Sequence, residues 1–401
     1  MKAIVVGSGA GGGIIAKELA KSGILVTVLE KGPSVKTKKA YEHYDILNVG
    51  TEVSSTVCLG GTTLVTAGNA VRAGEESFKN LGIDLSREFE EIEEEIFINT
   101  LPDSHFGEGT KKIMDAARSL GLEIQKMPKF IYPDLCKPCG KCALGCPKDA
   151  KWTSIKFIEE AEKYGAKIVD NTPVTDIIVS DGKVAGVKSD DKIFEADIVV
   201  LSAGAIETPR LLQKIGINAG NNLFVDTFVT VGGMLKNIKY NKEVTMNALI
   251  KLDNIVLAPH FSGILVNKLE KYKARKKDVL GLMIKIKDEP SGKVTQDDVV
   301  KFNTAEDVAL LTRGTAIAGA ILTEAGVIPE TLVSTYARGA HPGGTAAVGE
   351  IVDTNLQTEI KGLYVADASV FPEAPGAPPV VTILALSKRL AKHIVNKNNR
   401  S

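Results

Sequence analysis

The stretch MKAIVVGSGAGGGIIAKELAKSGILVTVLE, residues 1–30, decides the fold. Residues 3–6 (AIVV) are a short apolar run of the kind a buried strand makes, and a glycine loop follows. Residues 14–22 (IIAKELAKS) have helical spacing, and ILVTVLE reads as a second strand ending in Glu30. This is a βαβ unit. Gly7, Gly9 and Gly12 stand at the fingerprint positions of a dinucleotide site: a tight turn, close backbone approach to a pyrophosphate, and close packing of helix on strand. The helix N-terminus points free N–H groups at the phosphates, and Glu30 can accept hydrogen bonds from an adenosine ribose. The pattern predicts a Rossmann-type domain for FAD or NAD and does not separate the two.

Working outward, 401 residues exceed what one core usually holds, so two units are expected. Hydrophobic content of 44% and charged content of 24% describe an ordinary globular chain, and 49 basic against 49 acidic residues give nucleic acid no electrostatic handle. The opening lacks the parts of a signal peptide, and no apolar run reaches the roughly 18 residues a membrane span needs. A cytoplasmic protein is expected, with its oligomeric state open.

Segments 85–97, 110–120 and 154–164 carry helical patterns, and short strands fill 167–201, with turns at Asp181-Gly182 and Ser189-Asp190-Asp191. IVVLSAG (198–204) reads as another buried parallel strand. From 222 to 340 the runs FVTVGGML, VTMNALIKL and VLGLMIKIK suit an antiparallel sheet backed by helices, one of them near 304–325. The last sixty residues return to the first texture. The fold class expected is α/β with an α+β second domain. A discontinuous cofactor domain, 1–221 plus 341–401, holds a cysteine loop at 136–147 and is interrupted by a substrate domain, 222–340.

Four of five cysteines cluster as Cys136-Lys-Pro-Cys139-Gly-Lys-Cys142-Ala-Leu-Gly-Cys146-Pro147, the C-x2-C-x2-C-x3-C-P spacing of bacterial ferredoxins. Soft thiolates converge there, with Gly140, Gly145, Pro138 and Pro147 shaping the loop. The spacing predicts an iron-sulfur cluster ahead of four-cysteine zinc, whose ligands more often come as two separated pairs. Either all four cysteines close on a [4Fe-4S] cluster or three hold a [3Fe-4S] cluster. Cys58 stands apart and is expected to be a small buried hydrophobe.

Three further segments resemble the glucose-methanol-choline (GMC) oxidoreductase family: LGGTTLVTAGNAVR (59–72), SAGAIETPRLLQKIGI (202–217), and HPGGTAAVG followed by GLYVADASVFP and TILALSKRLA. The resemblance implies FAD. By it, Gly60, Gly61, Thr62 and Thr63 wrap the flavin ring, Val174 offers its backbone to the adenine, and Gly204, Asp367 and Ala368 lie near the pyrophosphate and ring. It also implies that His341 takes the proton of a substrate hydroxyl beside flavin N5, a task suited to a group titrating near neutral pH. GCPKDAKWTS resembles bacterial FAD-dependent glucose, gluconate and fructose dehydrogenases with a [3Fe-4S] cluster, which makes Cys142 and Cys146 the surest ligands.

The family usually has an Asn or His in an Asn-Pro-x-x-Thr arrangement before the final helix, whereas this chain has Pro378, with no side-chain donor or acceptor. His260 is the candidate to supply the missing group. Glu373 is a weaker one, and His43, His105 and His393 have no supporting context. The expectation is a dehydrogenase of a sugar, polyol or similar alcohol that passes electrons through the cluster to a carrier protein such as ferredoxin. The rivals are reverse flow onto a carbonyl or double bond, and a non-catalytic electron-transfer subunit.

Overall fold

In the computed structural model, which describes residues 1–399, the strand Lys2–Val6 lies at the centre of a five-stranded parallel sheet. The last two residues of the expected 341–401 segment therefore fall outside the description. The strand order is Leu363–Val365, Ile198–Leu201, Lys2–Val6, Leu25–Leu29, Lys167–Val169, with Ile4 registered against Val199 on one side and Thr27 on the other. Both faces are covered, which is why these strands read as almost unbroken apolar runs.

The first helix, Ala10–Lys21, packs against the helices Ile155–Lys163 and Val380–Asn398. It begins four residues earlier than the apolar spacing suggests, because the glycines themselves form its first turn. Hydrophobic periodicity cannot register a turn without side chains. Those glycines are obligatory: a Cβ on Gly11 would lie 1.7 Å from the Ala366 carbonyl oxygen, and one on Gly12 would lie 2.0 Å from that of Gly7. The Asp181-Gly182 turn closes a hairpin between Asp176–Ser180 and Lys183–Ser189, with φ of 50° and 71° as a two-residue hairpin turn requires.

The second sheet is built on the antiparallel strands Thr227–Met234, Val279–Ile286, Ile255–Pro259 and Ala248–Leu252. It draws strands from outside 222–340. Glu52–Thr56 joins through Arg338–Gly339 with Tyr44–Asn48 beyond it, and Gln125–Lys126 covers the opposite edge. Open strand edges present unpaired N–H and C=O groups, and these earlier segments satisfy them. Alternation within a strand reports its two faces and carries no information on which segment pairs with its edge.

The faces divide cleanly. Val229, Val231, Leu282 and Ile284 pack in one core with Leu311, Ala318 and Ile321 of the helix Ala305–Glu324, which opens on a Thr304–Asp307 capping box. The other face carries Phe228, Met283, Ala258 and Leu249, and by the two-residue period also Asp226, Thr230 and Lys285. Among the described residues no helix is long and apolar enough to cross a membrane.

Candidate active site

The Gly7–Gly13 loop ends the central strand and opens the first helix. Gly9 is the N-cap and no side chain caps the helix, so its first N–H groups are offered to a ligand. A Cβ on Gly9 would meet no protein atom within 4 Å, unlike Gly7, whose Cβ would lie 2.4 Å from the Ser202 carbonyl oxygen. The protein does not need a glycine at position 9; a group packed against the backbone does. That is the cradle a pyrophosphate fits.

Glu30 ends the second strand, buried, with one carboxylate oxygen accepting from the Ser8 N–H (3.0 Å) and hydroxyl (2.5 Å) and the other from the Gly32 N–H (2.8 Å). Burial pushes its carboxyl upward and those hydrogen bonds oppose the rise. The Thr172 N–H donates to the Glu30 carbonyl at 2.8 Å, which carries Val174 alongside this end. Ser8 also accepts from the Gly60 N–H at 2.9 Å, docking the second glycine loop on the first, where a Cβ on Gly61 would lie 3.2 Å from the Gly9 Cα. The Thr63 hydroxyl donates to the Gly60 carbonyl at 2.6 Å and accepts from Ser154 N–H at 3.0 Å, so it buttresses the loop; that of Thr62 accepts from Thr56 N–H at 3.2 Å. Buried Asp367 joins the Gly204 N–H (2.9 Å) to the Thr208 hydroxyl (2.6 Å), and the Ala368 carbonyl accepts from Gly344 N–H at 3.2 Å, reaching the loop that carries His341. The predicted residues thus stand in two hydrogen-bonded groups, Glu30 with Ser8 and the Gly60 loop, and Asp367 with Gly204, next to the Ala368 carbonyl that meets the loop of His341.

At His341, Nδ1 lies 2.9 Å from Asp226 Oδ2 and 2.9 Å from Lys285 Nζ. Gly376 N–H donates to the other Asp226 oxygen at 3.0 Å. Burial drives the Asp226 carboxyl up and the Lys285 ammonium down, and burial with the Lys285 charge holds the imidazole well below its ordinary range. Both influences favour the neutral imidazole, the form a base takes. His260 shares this sheet face, yet its Nδ1 pairs with the Thr230 hydroxyl at 3.0 Å and burial lowers it to about 4. Glu373 is tied to Ser77 and, at 2.9 Å, to Lys287. The polar partners of His341 are thus Asp226 and Lys285, neither anticipated from sequence. Their one signal was a charge placed within an apolar strand run, LFVDTF and LGLMIKIK.

The four clustered cysteines line a single cavity, of about 390 Å³ including its open mouth, with Ile131, Ala150, Lys151 and Val244 among its walls. Gly140 and Gly145 adopt φ of 70° and 97° against the Asn241 and Thr37 carbonyls, as the loop reading requires. Among the described residues no group of three or more His, Cys, Asp or Glu side chains is placed to hold a metal ion, the four cysteines included. Burial and the neighbouring thiols push Cys136 up to about 12.

Two lysines missed in the sequence lie beneath this cavity. Lys129 Nζ donates to Asn69 Oδ1 (2.6 Å) and the Thr245 and Ala67 carbonyls (3.0 and 3.1 Å), and burial lowers it to about 7. Lys151 Nζ donates to the Thr66, Leu64 and Cys142 carbonyls (2.6, 3.0 and 3.2 Å) and is lowered to about 8. Cysteines of the cluster are the groups that would favour charge on them, as thiolates. Cys58 is fully buried with Ala40, Leu64 and Val65, its thiol raised to about 12 by burial, as expected of a packing residue.

Sequence profiles described as GMC oxidoreductase match residues 4–237 and 285–387. An uncharacterized protein of Methanocaldococcus jannaschii is 37% identical, over 98% of this chain and 99% of its own. A long-chain-alcohol oxidase of Arabidopsis thaliana is 24% identical, over 98% of this chain and 67% of its own. Among solved structures, pyridoxine 4-oxidase from Mesorbium loti superposes with a TM-score of 0.75 at 15% identity, over 98% of each chain, a likeness of fold.

Proposed function

This chain belongs to the GMC oxidoreductase family, and from that premise we propose that it is a dehydrogenase in which His341 takes the hydroxyl proton of an alcohol while hydride passes to FAD. That it is an FAD-dependent oxidoreductase acting on CH–OH groups follows from the family itself. FAD supplies a two-electron acceptor that can return electrons singly. The observation that carries the reading is His341, with Nδ1 engaged by Asp226 and Lys285 and burial favouring its neutral form. Nε2 has no protein partner among the described residues, which leaves it for substrate.

The residues fit the group. Gly7, Gly9 and Gly12 would hold its pyrophosphate, Glu30 and Val174 its adenosine, and Gly60, Gly61, Thr62, Thr63, Gly204, Asp367 and Ala368 its ring end. The sheet face that carries Lys285 also carries the buried apolar cluster Phe228, Met283, Met127, Leu249 and Ala258, against which Ala340 packs, together with the polar pair Thr230 and His260.

For the onward electron path we propose an iron-sulfur cluster on Cys136, Cys139, Cys142 and Cys146, serving an external carrier of the ferredoxin type. Support comes from the spacing, the shared cavity, and Lys129 and Lys151. A buried ammonium without a carboxylate partner is costly, and a cluster bound by thiolates would supply the missing negative charge.

The test is anaerobic mixing of the purified protein with alcohols ranging from polyols to apolar primary and secondary alcohols, following flavin absorbance, with iron and sulfide quantified. Bleaching by one of these alcohols, slowed at least ~10³-fold in His341→Asn at full FAD content, is the expected result. Normal bleaching in His341→Asn would overturn the assignment, and iron-free protein would remove the relay.

A further inference from the structure

Among the described residues five lysines are buried: Lys17, Lys129, Lys151, Lys285 and Lys301. Lys17 pairs with Glu18 and Glu95, and Lys301 with Asp288 and Asp307. Lys129 and Lys151 each have three oxygen acceptors. Lys285 differs: its hydrogen bond runs to His341 Nδ1, while Asp226 Oδ2 stands 3.9 Å away. Nδ1 in turn has two suitors of opposite character at the same 2.9 Å. A ring nitrogen carries either a proton or a lone pair, so it serves only one of them at a time.

The two choices have opposite consequences at Nε2. With the proton on Nδ1, donated to Asp226, Nε2 keeps its lone pair and is a base. With Nδ1 accepting from Lys285, the proton sits on Nε2, which becomes a donor. We propose that Asp226 and Lys285 are positioning residues that hold His341 in these two tautomers, supplying at Nδ1 the control that Pro378 cannot supply at Nε2. The inference rests on the assignment of His341 as the base. Gly376, two residues before Pro378, fixes Asp226 through its N–H, so the proline loop and the switch are built as one unit.

In oxidation the alcohol O–H breaks with its proton going to Nε2. The C–H bond would break with its electron pair taken up by bound FAD, and a C=O bond forms. In the reverse direction Nε2–H would donate to the carbonyl oxygen while Nδ1 takes a proton from the Lys285 ammonium, so that the ring ends as the Nδ1–H tautomer that pairs with Asp226; bound reduced FAD would supply the hydride. The other charges around the pair are Asp288 with Lys301 on one side, Lys287 with Glu373 on another, and Arg338 over the Phe228 ring.

The experiment is ¹⁵N NMR of the FAD-loaded full chain labelled at histidine, with His341 assigned by difference against His341→Asn. Asp226→Asn should move His341 toward Nε2–H, and Lys285→Met toward Nδ1–H. Lys285→Arg should keep the wild-type ratio. Flavin reduction by alcohol should fall at least ~10²-fold in Asp226→Asn, and oxidation of reduced flavin by the matching carbonyl should fall with it, because both directions cross one transition state. In Lys285→Met the acid limb of alcohol oxidation should move to higher pH, because the imidazolium no longer faces the ammonium. An unchanged tautomer ratio in Asp226→Asn and Lys285→Met would overturn the inference. If Lys285→Met does not fold, Asp226→Asn decides alone. Failure of the underlying reading looks different: His341→Asn would then bleach normally.

Discussion

The glycine end of the site and the histidine end are built by different rules. At the glycine end the constraint is backbone space: Gly12 lies under the carbonyl of Gly7, and Glu30 reaches Ser8, 22 residues away along one βαβ unit. At the histidine end the constraint is charge, and the partners of His341 are 115 and 56 residues distant, one just before the strand Thr227–Met234 and one on the strand Val279–Ile286 of the second sheet. A site made of backbone geometry is written as residue types at fixed spacing. A site made of paired charges is written wherever the strands happen to bring them.

The comparison can be broken at several points. Gly12→Ala places a Cβ 2.0 Å from a backbone oxygen, and unfolding by denaturant should show a loss of more than about 4 kcal/mol. Near-native stability would show that the glycine end is not space-limited. Next in size is His260, whose folded pKa of about 4 lies below the unfolded value of about 6.5. Its contribution is complete above that unfolded value and is lost as pH falls toward 4, on the order of 3 kcal/mol in all. His260→Gln should flatten stability across that window, and an unchanged slope would mean the histidine already takes a proton when folded. Smallest is Gly9→Ala, where a Cβ meets no protein atom. Stability of the cofactor-free chain should change by less than about 0.5 kcal/mol, while the Kd for FAD rises about tenfold or more. Equal losses in both measurements would erase the distinction between a glycine kept for packing and one kept for a ligand.

The helices at 86–95, 108–119 and 155–163 and the Asp181-Gly182 hairpin could be read because each is local: periodicity and turn chemistry act within a few residues. The second sheet was legible in its central strands and illegible at its edges. Residues 44–56 and 125–126 pair there through backbone groups that every sequence possesses. Pro378 showed that a polar group was missing without showing what replaced it, and His260 was the natural candidate only while Lys285 read as one more strand residue.

By itself the sequence determined the βαβ unit, the cradle at Gly9 and the four-cysteine loop, because each follows from residue type at fixed spacing along one short segment, while the family was carried by a resemblance spread over three segments. Tertiary structure alone decided which groups stand around His341 and that Lys129 and Lys151 lie beneath the cysteines. It did so because the electrostatics of a buried group depend on through-space neighbours and on exclusion of water, and neither quantity exists until the two sheets have packed together.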